Sequence, residues 1–415
     1  MLAVKQTIMS APDASPSSKL GIALTLGIIL NIFLPKGGVY AAGVPLTWGY
    51  IFLAPTAAWG VITLFFSGRL TAARLIAFAS CLPFVGVAAL TLASNGAEQM
   101  SFVVALFVTF TFLPFALYIA FDNFLPQEKV EAALRFASAG FFFVAVWGII
   151  GFVFTAVFKT PLDIPFITTG GGSELSSIDR NNWRGEFYKL TATFNNGNIY
   201  GVCTLMLLPV IAKFLPRWQT NIVKLSIFLT LSRSAWAGLI FYEIMHAIFV
   251  RRQRGVVKYL VLVLSVTVTL VAALIYMLGL NMDFILSTDL GGRLHTYENI
   301  GEILPFSMQI YDNIYEIVYP SILSQFGYMG LGAFFVAIFA PFVLRYLDPR
   351  PIGDLERSIV LGMTMYLMMC WADGAMLYIP SMFFYWSLAT SLLSAPADAP
   401  QNSRPAQVAA VQGAS

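Results

Sequence analysis

Ala137-Ser-Ala-Gly-Phe-Phe-Phe-Val-Ala-Val-Trp-Gly-Ile-Ile-Gly-Phe-Val-Phe-Thr-Ala-Val-Phe158 carries no charged residue from end to end. A helix rises about 1.5 Å per residue, so a run of this length covers the roughly 30 Å of hydrocarbon in a bilayer. The apolar residues are continuous rather than alternating, which argues against a barrel strand. Outward from it the pattern recurs at 20–34, 46–66, 75–94, 101–121, 198–215, 220–232, 234–249, 257–280, 327–344, 357–372 and 376–393. The chain has 415 residues, 58% hydrophobic and 11% charged, with mean hydropathy +0.77. A soluble domain carries about a quarter charged residues. The sequence therefore predicts an all-α, polytopic helical membrane protein with about twelve transmembrane helices.

Residues 20–394 read as a single transmembrane domain. Residues 1–19 lack the charge, apolar stretch and cleavage order of a signal peptide and read as a short cytoplasmic tail. Residues 395–415, rich in Ala, Pro, Gln and Ser, read as a disordered cytoplasmic tail. With both termini inside, all but seven of the 24 Lys and Arg residues fall on the inner side. The exceptions are Lys36, Lys159, Arg180, Arg184, Lys189, Arg233 and Arg293. Arg251-Arg252-Gln-Arg254 is the firmest inner anchor. The net charge of +3 is spread over both sides and gives no footprint for nucleic acid. Cys81, Cys203 and Cys370 all fall inside spans and read as small core residues.

Two outer segments are long, 159–197 and 281–326. Loops of that length in a compact protein are usually functional or disordered. The first mixes Asp163, Glu174, Asp179, Arg180, Arg184, Glu186 and Lys189 with Trp183, Phe187 and Tyr188. That mixture suits either a surface that grips sugar or phosphate, or a solvated loop with an interfacial aromatic belt. The second holds Gly-Gly-Arg293-Leu-His295 and ends in Asp312-Asn313-Ile-Tyr315. His295 reads as an incidental loop residue. Residues 311–326 read as a surface helix on which Tyr311, Tyr315 and Tyr319 form one stripe, either a belt or a sugar platform. Asp312 is either a helix cap or a base for a hydroxyl.

Arg233 sits in a tighter place. Residues 220–249 must leave and regain the inner face, and each arm reaches only about 20 Å. The turn at Leu231-Ser232-Arg233-Ser234 is therefore expected below the outer membrane surface. A guanidinium there needs water, an anion, or a carboxylate such as Asp373. Glu243 and His246, one turn apart, read as a local structural pair.

Four stretches together resemble the superfamily of O-antigen polymerases (Wzy) and O-antigen ligases (WaaL), which are bacterial membrane glycosyltransferases. They are Lys189-Leu-Thr-Ala-Thr-Phe194-Asn-Asn-Gly197-Asn198, Thr230-Leu-Ser-Arg233, Gly292-Arg293, and Asp312-Asn313-Ile-Tyr315 followed by Gln325-Phe-Gly327-Tyr-Met-Gly330. Their order and spacing agree over roughly residues 185–345; the first 180 residues match only in hydropathy. Lys189 stands where an arginine is more usual, Gly197 replaces a common proline, and Asp312 stands where the ligases carry a histidine.

The resemblance implies a GT-C-like fold with both long segments periplasmic, in the bacterial inner membrane. It implies transfer of a growing glycan from undecaprenyl pyrophosphate to the next lipid-linked repeat unit, with inversion at the anomeric centre. Arg293 and Arg233 would meet the pyrophosphate and Asp312 would take the acceptor proton. Lys189, Arg184, Arg180, Asn198, Tyr311, Tyr315 and Asn313 would bind substrate. Partners would be the lipid-linked oligosaccharide, membrane lipids and a chain-length regulator. No cofactor is called for, since no carboxylates or histidines stand in metal-ligand spacing. The ligase reaction onto lipid A-core is the alternative, and a lipid-linked sugar flippase or transporter the second.

Overall fold

The computed structural model describes residues 26–41, 44–67, 70–120, 127–162, 164, 182–184, 187–250, 265, 269, 304–314 and 316–394. Both tails, the span expected at 257–280, and Arg180, Arg293, His295 and Tyr315 lie outside these residues. For Arg184 only the backbone is described.

The chain is mostly helical. It opens with α1 (26–33), then an antiparallel hairpin of β1 (Gly38–Ala41) and β2 (Val44–Thr47), with Gly38 opposite Thr47. There follow α2 (Trp48–Ser67), α3 (Ala72–Ala79), α4 (Leu82–Asn95), α5 (Met100–Phe107) and α6 (Gln127–Phe158). A second small hairpin pairs β3 (Trp183–Arg184) with β4 (Phe187–Tyr188). The rest is α7 (Gly197–Phe214), α8 (Arg217–Phe228), α9 (Arg233–Met245), α10 (Val318–Leu347), α11 (Asp354–Met369) and α12 (Ile379–Leu392). Two short hairpins interrupt the helices. Both lie in connections between helices, where the backbone must satisfy its own polar groups.

Among the described residues, five helical stretches are long and apolar enough to cross a membrane: Ala72–Asn95, Met100–Ala120, Val130–Phe158, Gly197–Phe214 and Val318–Leu347. They differ in how they are used. The α7 window is 78% buried, whereas those of Ala72–Asn95 and Val130–Phe158 are each 28% buried. Helix α7 is the central post, and α6 turns Phe143, Ile150, Val153 and Val157 outward. Apolar faces of that size suit lipid contact better than water.

Small residues let helices close on the post. A Cβ on Gly201 would lie 2.9 Å from Ala235 of α9, and Gly362 of α11 rests on the Met206 carbonyl. Next to the post lies a ring cluster of Phe84, Phe110, Phe334 and Trp386. Trp386 Nε1 donates to the Thr109 carbonyl at 2.9 Å. Thr109 belongs to a π-helical stretch, Val108–Phe112, whose altered register suits such a contact from a neighbouring helix.

Helix α10 is broken at Gly327, where φ is +71°. Tyr328 N and Met329 N donate to the carbonyls of Leu304 and Pro305, at 3.1 and 3.2 Å. A Cβ at Gly327 would collide with the Leu304 and Pro305 carbonyls. Only glycine takes this conformation without penalty. The segment 304–311 is also held by Asn95, whose Nδ2 donates to the Ser307 and Gln309 carbonyls at 2.8 and 3.0 Å.

The two ends of the bundle differ. One end carries Arg345, only 3% exposed, in a two-bond contact with Glu356 in which each bond is 2.8 Å. Arg345 also donates to the carbonyls of Arg350 and Pro351. Arg350 clasps Asp348 beside it. The other end carries Lys189 and Arg233.

Candidate functional site at the Arg233 end of the bundle

Two capped helix starts define this end. Asn196 is the N-cap of α7, and its Oδ1 accepts from Asn198 N at 2.9 Å. Ser232 is the N-cap of α9, and its Oγ accepts from Ala235 N at 3.4 Å. Asn and Ser are favoured at N-caps because their short oxygens replace a missing helical acceptor. Arg233 and Gly197 are therefore the first residues of their helices. Proline is favoured at that position in general. Here a Cβ would lie 2.9 Å from the Leu190 carbonyl and 3.1 Å from Lys189 Cβ, which accounts for glycine at 197.

The two starts lie side by side. Leu190 N donates to the Leu229 carbonyl at 3.1 Å, and Gly197 faces the Thr230 carbonyl. Leu231, at φ 52°, turns the chain from α8 into α9. Phe228 and Trp236 stack across this turn, and Trp236 Nε1 donates to the Phe228 carbonyl at 2.7 Å. The turn is recessed relative to α6. Phe152 packs on the Phe228, Leu231 and Trp236 cluster. Gly148 of α6 closes on Leu190 and Ala192, and α6 rises about 15 Å further before it ends at Phe158.

Lys189 is 1% exposed, and its Nζ donates to Asn198 Oδ1 at 3.1 Å. The backbone fixes it further, since Lys189 N donates to the Asn182 carbonyl at 2.8 Å and Asn182 Nδ2 to the Asn195 carbonyl at 3.1 Å. The β3–β4 hairpin thus hangs on the turn that starts α7. Lys159, at the end of α6, lies over the Phe187 ring at 5.6 Å. Arg233 is half-buried. A helix start carries partial positive charge. Two such starts beside a buried ammonium and a guanidinium form a pole suited to a polyanion.

Asp312 is half-buried, and its backbone N donates to Gln325 Oε1 at 3.1 Å. The surface helix expected over 311–326 is corrected. Tyr311 pairs as an isolated bridge with Ala97, its N and O bonded to Gly96 and Glu98, and α10 begins only at Val318. Asp312 is therefore no helix cap. Tyr311 is fully buried and stacks on Phe326 at 5.5 Å, which takes its ring out of the expected sugar contacts. Burial pushes the Tyr311 hydroxyl up, helped by the charge of Asp312. Tyr319 faces inward, donating to the Leu367 carbonyl at 2.7 Å. Asn313 is half-buried beside Asp312.

Asp373, named from sequence only as a possible partner for Arg233, links these parts. It is fully buried and accepts from Ser234 Oγ at 3.2 Å. Its visible signal was a carboxylate between two apolar runs, which is costly without a role. Glu243 pairs with Lys224 of α8, and His246 stacks on Tyr242 at 5.1 Å.

No family model matches this chain, and no curated protein sequence does.

Proposed function

We propose that this chain is a GT-C-like membrane glycosyltransferase of the O-antigen polymerase type, with about twelve spans in all. It moves a growing glycan from undecaprenyl pyrophosphate to the next lipid-linked repeat unit. The Arg233 end faces the periplasm and the Arg345 end the cytoplasm, with both chain termini inside and the protein in the bacterial inner membrane. Basic residues support that orientation. Arg74, Lys213, Arg217, Arg345, Arg350 and Arg357 belong to the Arg345 end, and short loops rich in Lys and Arg stay inside.

One observation carries the reading: the starts of α7 and α9 lie side by side with buried Lys189 and the first-turn residue Arg233. The difficult part of the chemistry is charge. The acceptor hydroxyl attacks the anomeric carbon of the donor glycan, the bond from that carbon to phosphate oxygen breaks, and its electron pair leaves on the diphosphate. Fixed cations and aligned N–H groups stabilise that departing charge without reorganising. Arginine suits phosphate through its planar fork of donors. Arg233 and Lys189 take this role, joined by Arg293 and then Arg184 and Arg180 from the outer segments. Asp312 receives the proton from the acceptor hydroxyl. Asn198, Asn313 and Tyr315 contact the substrate. The lipid-linked oligosaccharide arrives through the bilayer, and a chain-length regulator is the expected protein partner.

The test uses the full chain, purified and reconstituted with lipid-linked repeat units, lipid A-core and no other enzyme. Long lipid-linked polymer is the expected product. Glycan capped onto core would make the protein a ligase. Repeat units moved across the bilayer but never joined would make it a flippase.

A further inference from the structure

We propose that the loop 370–374 holds the two halves of the proposed site in register and that Asp373 is its positioning residue. The inference deepens the functional reading above and rests on it for its purpose, though not for its geometry. The first half is the start of α9 with Arg233. The second comprises residues 312–314, with Asp312, and 316–318. They are far apart in sequence and meet through this loop.

Each contact is specific. Asp373 Oδ2 accepts from Ser234 Oγ at 3.2 Å, and Ser234 Oγ lies 2.9 Å from Ser232 Oγ, the N-cap of α9. Ser232 and Ser234 flank Arg233, so the carboxylate holds one neighbour of the arginine directly and the other through it. On the other side, Gly374 N donates to the Glu316 carbonyl at 2.7 Å, and Val318 N donates to the Cys370 carbonyl at 3.0 Å. Gly374 is packed so closely on Val318 and Cys370 that no Cβ fits. Ala375 has φ 44°, a left-handed backbone that a non-glycine residue adopts at a cost.

A carboxylate with no exposed surface is an expensive way to cap a helix. Serine hydroxyls would serve a cap alone. The charge gains something a neutral group does not: attraction to the positive start of α9 draws that start toward the loop, and the loop is fastened to 316–318. Movement of either half must break these bonds, so the start of α9 keeps a fixed offset from residues 316–318, which follow Asp312 closely in sequence. Fixing the groups that meet the leaving diphosphate and the acceptor hydroxyl is worth rate, because a shift of about 1 Å can cost on the order of a hundredfold.

The experiment reads the geometry directly. Ala237, exposed on α9, and Met308, exposed on the segment leading to Asp312, are replaced by cysteine and spin-labelled in the full chain. The native cysteines are buried. A single narrow distance is expected in the parent, and a broadened one in Asp373→Ala and in Ser234→Ala. Ser234→Ala removes one hydroxyl, so it reads the link even if Asp373→Ala does not fold. The same proteins are titrated with farnesyl pyrophosphate. Asp373→Asn is expected to weaken binding on the order of tenfold with its unfolding temperature nearly kept, and Asp373→Asn with Ser234→Ala no further than either alone. Broadening without diphosphate binding in the parent keeps the register role and removes the functional reading. A distance unchanged in both Asp373→Ala and Ser234→Ala overturns the register role, whatever binds.

Discussion

Lys189 Nζ donates to Asn198 Oδ1 at 3.1 Å, a contact made between two buried side chains. It ties the segment leaving the β3–β4 hairpin to the second residue of α7. A buried ammonium is tolerated only where acceptors surround it. Asn198→Ala takes one away. The expected result is a loss of about 1–3 kcal/mol in stability, read by thermal unfolding in detergent, with a drop in glycan transfer larger than the loss of folded protein. Lys189→Met, similar in length and uncharged, is expected to keep more stability than Asn198→Ala and to lose more transfer.

Gly327 permits the break in α10 that lets 304–311 hydrogen-bond to it. Gly327→Ala forces a Cβ against the Leu304 and Pro305 carbonyls at a backbone angle alanine dislikes. A cost of about 1–3 kcal/mol is expected. Limited proteolysis checks it: cleavage within 304–311 should quicken in the variant, with the rest of the bundle still protected.

At the opposite end, Arg345 and Glu356 join α10 to the start of α11. Removing one partner of a buried pair strands the other, and costs about 3–5 kcal/mol. Glu356 keeps 20% of its side-chain surface, so Glu356→Gln is expected at the low end of that range or below it. The folded fraction of this variant should transfer glycan at the parent rate, because the clasp lies far from Lys189 and Arg233.

Acid should weaken this clasp. The Arg350 guanidinium and backbone N–H hold the Asp348 carboxyl down at about 2. Burial alone would raise Glu356, but Arg345 and the Gly353 N–H outweigh it and keep it below its ordinary value. Both pKa values are lowered in the folded state. Their contribution is therefore complete above the ordinary carboxylate range, near pH 4, and is lost as pH falls through the folded values. The unfolding temperature is expected to be flat from pH 7 to about 5 as far as these groups set it, and to fall below about 4. Asp348→Asn should show a shallower fall.

Much of the fold was legible because apolarity is local. The charge-free run ending at Phe158 became the end of α6, and the short arms around Arg233 became α8 and α9. The caps at Asn196 and Ser232 went unread, although both are residue types that start helices. What failed depended on neighbours distant in sequence. Tyr311, Tyr315 and Tyr319 have helical spacing, yet the end of α4 captures Tyr311 in extended form through Gly96 and Glu98. Glu243 also meets Lys224 on the facing arm, a contact that helical spacing does not show. Asp373 was legible as a carboxylate for Arg233, whereas its bond to Ser234, on another helix, was not. Of the candidate site, Lys189, Asn198 and the Arg233 turn come together, whereas Arg180, Arg293 and Tyr315 lie outside the described residues.

The central claim is that the cations beside the starts of α7 and α9 carry the charge of a departing lipid diphosphate. Its most direct test compares the parent with Arg233→Lys in reconstituted membranes supplied with purified lipid-linked repeat units. Lysine keeps the charge and loses the fork of donors, so the rate of polymer formation is expected to fall by on the order of a hundredfold. Polymer made by Arg233→Lys, and by Arg233→Ala, at the parent rate would contradict the account.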